Sequence, residues 1–119
     1  MSRALPQAVQ ATHEALGWVI PVLDRFPRNR RFTLGERIEG RLLEVLELLI
    51  EATYLRGNDR PLRAANHKLA VVRHLWRLAY ELQVIPLKPY RDGSERFVDI
   101  GRQIGGWQKA GAERGGDHG

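Results

Sequence analysis

The chain has no cysteine, a single methionine and no long apolar run. The lack of thiols excludes disulfides, thiolate catalysis and cysteine metal sites, and it permits a reducing compartment. No stretch approaches the roughly 20 consecutive apolar residues that a membrane-spanning helix requires, and the N-terminal sequence lacks the apolar block of a signal peptide. We therefore expect a soluble, cytoplasmic protein with no membrane partner.

The sequence also lacks segments in which apolar and polar residues alternate, the pattern of a half-buried strand. Its apolar residues recur with helical spacing instead. A length of 119 residues, 43% of them apolar, suits one domain with a modest core. These features predict an all-α fold, an antiparallel up-down four-helix bundle over residues 1–110. The Gly-rich residues 111–119 have little to bury and are predicted to be a disordered tail.

The first two predicted helices have recognisable start signals. Pro6 suits the first position of a helix that runs to about Leu23, and Pro21 predicts a kink or an early end because it lacks a backbone donor. The residues Thr33–Glu36 have the pattern of a capping box, in which a hydroxyl and a carboxylate satisfy free backbone amides. The second helix is therefore predicted from this box to about Arg56.

The third and fourth predicted helices are separated by a segment rich in turn-forming residues. Asp59 is the predicted cap of the third helix, which should reach about Leu82. Residues 84–93, "VIPLKPYRDG", contain two prolines and an Asp-Gly pair, so they predict a connecting loop. The fourth helix is predicted from Ser94 to Ala110. Its apolar face comprises Phe97, Ile100, Ile104 and Trp107.

The second and third helices carry more apolar residues than one core stripe uses. Leu43, Ile50 and Tyr54 lie to one side of the core stripe of the second helix, and the third helix has a further stripe comprising Val71, Leu75, Leu78 and Leu82. Two interpretations remain open. The helices are the central pair of the bundle and bury both sides, or the additional stripes form the interface of a ring-shaped homo-oligomer.

The charge of the chain is positive, with 19 Lys and Arg against 14 Asp and Glu, a net charge of +5. Sixteen of the nineteen basic residues are Arg, whose planar guanidinium binds phosphate through two parallel hydrogen bonds. An anionic partner is expected. Nucleic acid is favoured over an acidic protein or a membrane surface.

The positive charge is concentrated in two segments. Residues 56–77 hold six basic residues and one acidic residue, and residues 25–31 hold four Arg, while residues 36–51 hold five Glu. On the third helix, Arg63, Arg73 and Arg77 share one side with His67 and His74. These Arg either pair with Glu44, Glu47 and Glu51 or bind a nucleic-acid backbone. The candidate nucleic-acid-binding residues are Arg28, Arg30, Arg31, Arg63, Arg73 and Arg77.

Signals for catalysis are weak. His67 and His74 are two helical turns apart, about 10 Å, which is too far for them to share one metal ion. Arg60 and His67 have the Arg-x6-His spacing of HEPN-type ribonucleases, but Pro61 stands where a polar residue is expected. We therefore expect no enzymatic activity, no catalytic residue, no cofactor and no metal site.

Three segments and one residue carry a resemblance to a known family. They are "RFPRNRRFTLGERIEGRLLEVLELLIEA" (residues 25–52), "AANHKLAVVRHLWRLAYEL" (residues 64–82), Tyr90, and "IGRQIGGW" (residues 100–107). Together they resemble the accessory variability determinant proteins of diversity-generating retroelements. The four-helix proteins encoded in 23S ribosomal RNA intervening sequences share that fold and remain an alternative.

The resemblance implies a four-helix protomer that assembles into a pentameric barrel with a basic surface. Such a barrel binds the retroelement reverse transcriptase and supports mutagenic, adenine-directed copying of template RNA into cDNA, and it also binds nucleic acid. It is not itself the polymerase. The resemblance assigns nucleic-acid contacts to Arg73 and Arg77, which lie in the matching "VVRHLWRLAY". Arg28, Arg30 and Arg31 are further candidates, and His67 and Lys68 are additional ones.

Overall fold

The computed structural model describes residues 5–116, with side chains described for residues 5–113. Four long helices make up the fold: α1 (Gln7–Asp24), α2 (Glu36–Tyr54), α3 (Asp59–Glu81) and α4 (Leu87–Gly116). Within the described residues there is no strand. The predicted all-α class and four-helix bundle are therefore confirmed.

Helices that follow one another in sequence pack side by side, and α4 closes the bundle against α1. The antiparallel register of α3 and α4 is evident where Tyr80 meets Tyr90, Trp76 meets Gly93, and Leu69 meets Gly101. One end of the bundle, here called the upper end, therefore holds the C-terminal ends of α1 and α3 and the beginnings of α2 and α4.

The core is centred on aromatic residues from three helices. The ring of Trp76 lies edge-to-face with Phe97 at 5.5 Å and with Trp18 at 6.1 Å between centroids, an arrangement that aromatic quadrupoles favour. The guanidinium carbon of Arg96 lies 5.0 Å from the centroid of Trp18 on the outer side. On α4, Phe97, Ile100 and Ile104 are buried as predicted, while Trp107 is half-buried.

The segment before α2 is helical, so the capping box predicted at Thr33 is wrong. After Pro27 the chain forms one α-helical turn, Arg28–Arg30, and a π-helical turn, Arg31–Gly35, that leads directly into α2. The Thr33 hydroxyl donates to the carbonyl oxygen of Asn29 at 3.1 Å and caps no free amide. Proline suits a helix start because it supplies a fixed φ, here −52° at Pro27.

Helix α4 begins at Leu87, so the predicted loop is confirmed over residues 84–86 and wrong over residues 87–93, and the predicted start at Ser94 is wrong. Pro86 precedes the helix and its carbonyl accepts a hydrogen bond from the Tyr90 amide at 3.2 Å. Pro89 lies in the first turn, where backbone amides have no intrahelical partner and a missing N–H costs nothing. Both prolines therefore fit a helix start.

Gly93 serves close packing inside α4. A Cβ atom at this position would lie 2.5–2.7 Å from three atoms of the Trp76 indole. The same indole donates from Nε1 to the carbonyl oxygen of Tyr90 at 2.9 Å. Gly93 thus lets α3 and α4 approach each other at the residue that anchors the core.

The remaining helix ends differ from the predictions by smaller amounts. α1 runs through Pro21 to Asp24 without the early end, and α2 stops at Tyr54, two residues before the predicted Arg56. Asp59 is the first residue of α3 and makes no capping hydrogen bond. α4 continues past Ala110 to Gly116. The rest of the predicted tail, residues 117–119, lies outside the described residues.

We predict that Gly93→Ala destabilises the bundle by about 1–3 kcal/mol, the usual cost of overpacking a core. The free energy of unfolding in urea measures the effect. Gly105→Ala is the matched control in the same helix, because a Cβ there would meet nothing within 4 Å. That change should stabilise the helix by about 0.5–1 kcal/mol. Equal stabilities of the two variants would contradict the role assigned to Gly93.

Candidate nucleic-acid interface

The outward side of α3 presents the basic residues predicted from the sequence. The buried stripe of this helix, which includes Leu69, Val72 and Trp76, turns the opposite side toward solvent. All members of the outward set are exposed. They are Arg63, His67, Arg73, His74 and Arg77.

The ion pairs on this side are formed within α3 itself. Arg63 Nε lies 2.9 Å from a carboxylate oxygen of Asp59, and Arg77 Nε lies 3.5 Å from one of Glu81. In the part of the chain that the structure describes, no carboxylate lies within 4.0 Å of Arg73. The interpretation that these three Arg pair with the Glu residues of α2 is therefore wrong. Exposed pairs one helical turn apart contribute little to stability and leave the guanidinium open to other ligands.

Lys68 is the basic residue of α3 that reaches α2. Its Nζ lies 2.6 Å from Glu44, whose other oxygen accepts a hydrogen bond from Arg41 at 2.9 Å. The hydrogen bonds from Lys68 and then Arg41 hold the pKa of Glu44 below its ordinary value of 4.5. The stability that the ionised Glu44 contributes through these hydrogen bonds is thus present above pH 4.5 and is lost as the pH falls through the lowered pKa of Glu44. Lys68 is therefore paired with α2, unlike the Arg residues on the outward side of α3.

The Arg cluster before α2 divides into residues with different roles. Arg28 is exposed and Arg30 is half-buried. The Arg31 side chain is only 21% exposed, and its Nη2 lies 3.1 Å from Asp24 and 3.3 Å from Glu39. Arg31 therefore ties the end of α1 to the first turns of α2. Asp24 is the acidic residue near this cluster in sequence, whereas Glu39 comes within reach only through the helical turns that precede α2.

A groove runs along the outer side of the α3/α4 pair. This α3/α4 groove has a volume of about 350 Å³ and reaches down to the edges of Trp76 and Phe97. Its walls are formed by Ala70, Arg73, His74 and Arg77 of α3 and by Ser94 and Val98 of α4. At its upper end the rings of Tyr80 and Tyr90 are stacked, with centroids 4.4 Å apart. Arg73 and Arg77 therefore border a concave surface.

Two further Arg on α4 were missed by the sequence analysis. Arg91 and Arg102 are exposed and continue the line of Ser94 and Val98 with spacings of three and four residues, so all four share the side of α4 next to the groove. Arg91 lay in the predicted loop, where no helical face could be assigned. The repeat of Arg91, Ser94, Val98 and Arg102 was the signal that could have identified them.

Over residues 5–113, no group of three or more His, Asp or Glu side chains is arranged to hold a metal ion. Among the described helices, none is long and apolar enough to cross a membrane.

We predict that Arg31→Ala lowers the free energy of unfolding by about 1 kcal/mol, because it removes two ion pairs that join α1 to α2. Chemical denaturation measures this change. The control Arg28→Ala removes the same charge from an exposed residue of the same cluster and should leave stability unchanged. If both variants were as stable as the parent protein, Arg31 would not tie the two helices together.

Comparison with known proteins gives one match. Neither the search of curated proteins nor the search of solved structures finds a similar protein. A family model described as bAvd-like matches residues 8–111, a range that includes the greater part of all four helices, the Arg before α2 and the α3/α4 groove. The chain therefore belongs to the bAvd-like family, the family of accessory variability determinant proteins.

Proposed function

We propose that this protein is a non-enzymatic accessory subunit of a diversity-generating retroelement. In this role it associates with the retroelement reverse transcriptase, binds nucleic acid and supports mutagenic cDNA synthesis from template RNA. Membership of the bAvd-like family supports the role at the level of the family. The observation that carries the binding function is the α3/α4 groove, whose Arg73 and Arg77 have no ion pair to another helix within the described residues.

The positions of the Arg side chains suit contacts to phosphate. Arg73 and Arg77 are one helical turn apart, about 6 Å along the axis, so both can bind one strand of backbone. The sequence contains no recognised base-reading motif, and phosphate contacts carry no sequence information. Binding should thus depend mainly on charge.

The apolar residues outside the core support assembly of several copies. On α2, Leu43, Ile50 and Tyr54 are 38%, 41% and 84% exposed, and on α3 Leu78 and Leu82 are 41% and 46% exposed. The protomer does not bury them, so the interpretation that the bundle covers both sides of these helices does not hold for these residues. We propose that they are covered in a homo-pentamer, the assembly that the family resemblance implies.

A ring would repeat the α3/α4 groove on every subunit. Several weak phosphate contacts on one assembly act together, because each contact raises the effective concentration of the strand at the next. Such an assembly can hold template RNA or the growing cDNA beside the reverse transcriptase without a tight site on any single protomer.

The proposed role predicts that a reverse-transcriptase gene and a paired template/variable repeat lie beside this gene, and co-expression with that polymerase tests the partner. The two proteins should co-purify, and cDNA synthesis from the template repeat should require both. A gene located inside 23S ribosomal RNA, with no neighbouring reverse transcriptase, would instead support the intervening-sequence alternative. RNA cleavage by the purified protein that is abolished in His67→Ala would support a ribonuclease.

We predict that Arg73→Ala combined with Arg77→Ala weakens RNA binding strongly and flattens its salt dependence. For each phosphate that the variant no longer neutralises, the slope of log affinity against log salt should become shallower by about 0.7–0.9. Fluorescence anisotropy at several salt concentrations gives the slope, and circular dichroism should show unchanged helicity.

The matched control for this pair is Arg37→Ala combined with Arg60→Ala, which removes the same two charges from exposed positions outside the groove. It should have a smaller effect on affinity. A parent-like salt slope in the Arg73 and Arg77 variant would exclude the groove as the binding surface and leave Arg28 and Arg30 as the candidates.

We predict that light scattering gives an assembly several times heavier than the 13.6 kDa chain. Ile50→Glu should dissociate it without unfolding the protomer, because this side chain is already 41% exposed there. Asn66→Glu, at an exposed polar position, is the control and should remain assembled. A monomeric parent protein at micromolar concentration would contradict the proposed ring.

A further inference from the structure

The α3/α4 groove contains exposed apolar side chains in addition to the charge that a phosphate-binding surface requires. Between its Arg residues lie two apolar side chains open to solvent, Ala70, which is exposed, and Val98, which is 40% exposed. Beneath them lie Trp76 and Phe97, each 1% exposed, so the accessible apolar surface is that of Ala70 and Val98. A backbone-binding surface has no need of an apolar recess, so this part of the groove calls for an apolar or aromatic group in the ligand.

The size of the recess limits what can enter it. The whole groove, of which the recess is a part, has a volume of about 350 Å³, at the lower end of the range for small-molecule pockets, roughly 300–1,000 Å³. A single nucleobase fits this space, and a base pair within a helical stack does not enter it. At the walls, the His74 ring can hydrogen-bond a base edge, and the Ser94 oxygen can accept a hydrogen bond while its hydroxyl donates to Tyr90.

The recess is held in shape by the core beneath it. The carbonyl oxygen of Tyr90 accepts hydrogen bonds from Trp76 Nε1 at 2.9 Å and from the Ser94 hydroxyl at 2.8 Å. The stack of Tyr80 on Tyr90 supports its upper end. The cavity is therefore present in the protomer before any ligand binds, which reduces the entropic cost of binding.

Charge lies on both sides of the recess. Arg73 and Arg77 border it on α3, and on α4 Arg91 and Arg102 are eleven residues apart, about 16 Å along the helix. A strand that places one base in the recess can therefore reach guanidinium groups with the phosphates before and after that base.

We propose that the α3/α4 groove binds single-stranded nucleic acid by taking one base into the recess at Ala70 and Val98, with the flanking phosphates on the four Arg. The inference rests on the proposed function and specifies its ligand. Duplexes present stacked bases that cannot enter the recess, whereas unpaired bases can leave the strand and bind apolar or aromatic surfaces. Single-stranded RNA and single-stranded DNA both have unpaired bases with flanking phosphates, so both are candidate ligands.

The test compares the binding of three labelled 12-nucleotide ligands of one sequence: single-stranded RNA, single-stranded DNA and the corresponding duplex. Ala70→Leu fills the recess with an aliphatic side chain, keeps every charge and changes an exposed helical position. It should lower single-strand affinity about tenfold, the effect expected when one base is displaced from its site, and change duplex affinity less than twofold. Ala110→Leu, at an exposed position of α4, should bind all ligands like the parent.

A second variant tests the contribution of charge to binding separately from that of the recess. Arg91→Ala combined with Arg102→Ala should weaken single-strand and duplex binding to the same degree, because it removes phosphate contacts only. Parent-like single-strand affinity in Ala70→Leu, or a parent protein that binds duplex as tightly as single strands, would overturn the insertion of a base. Failure of the proposed function is distinguishable, since the parent protein would then bind none of the three ligands or would not co-purify with the reverse transcriptase.

Discussion

The packing of the Trp76 indole against Gly93 is the interaction on which the rest of the fold depends. Trp76 is 1% exposed and lies where any side chain at residue 93 would clash with it. Its Nε1 also bonds the Tyr90 carbonyl. These interactions fix the axial register and the separation of α3 and α4. They thereby also fix the width of the groove between the two helices. Packing in the core therefore determines the shape of the proposed binding surface.

Charge is distributed around α3 according to which helix lies next to it. Toward α2, Lys68 and Glu44 pair between the two helices, and at the upper end Arg31 is bound by Asp24 and Glu39. Toward α4, the basic residues have no carboxylate from the opposite helix among the described side chains. Arg73 and Arg77 therefore border the concave surface between α3 and α4 without a partner from α4, which favours an anionic ligand there.

The errors in the predicted helix boundaries have a common cause. Thr33 and Glu36 match a capping box, and Pro86, Pro89 and Gly93 match a loop, when each is read as local sequence. In the fold, the helical segment begins directly after Pro27, before Thr33 is reached. The buried side chains of Phe26 and Leu34 anchor this segment to the core. Likewise, the neighbouring Trp76 requires glycine at residue 93. Tertiary packing overrides local propensity at Thr33 and Gly93, because the free energy of burying a large side chain exceeds that of a cap or turn preference. Pro86 and Pro89 are compatible with a helix start as well as with a loop, so local sequence did not distinguish the two.

The sequence by itself determined the all-α class, the four helices, most of the buried stripe and the basic character of the third helix, since these follow from residue spacing within one helix. Its motifs also led to the family. Only the tertiary structure decided that Arg31 is engaged with Glu39, that Lys68 pairs with Glu44 of α2, and that Arg73 and Arg77 border a groove shared with Ser94 and Val98 of α4. The physical reason is that an ion pair or a groove depends on the register between helices, and side-chain packing between residues distant in sequence sets that register.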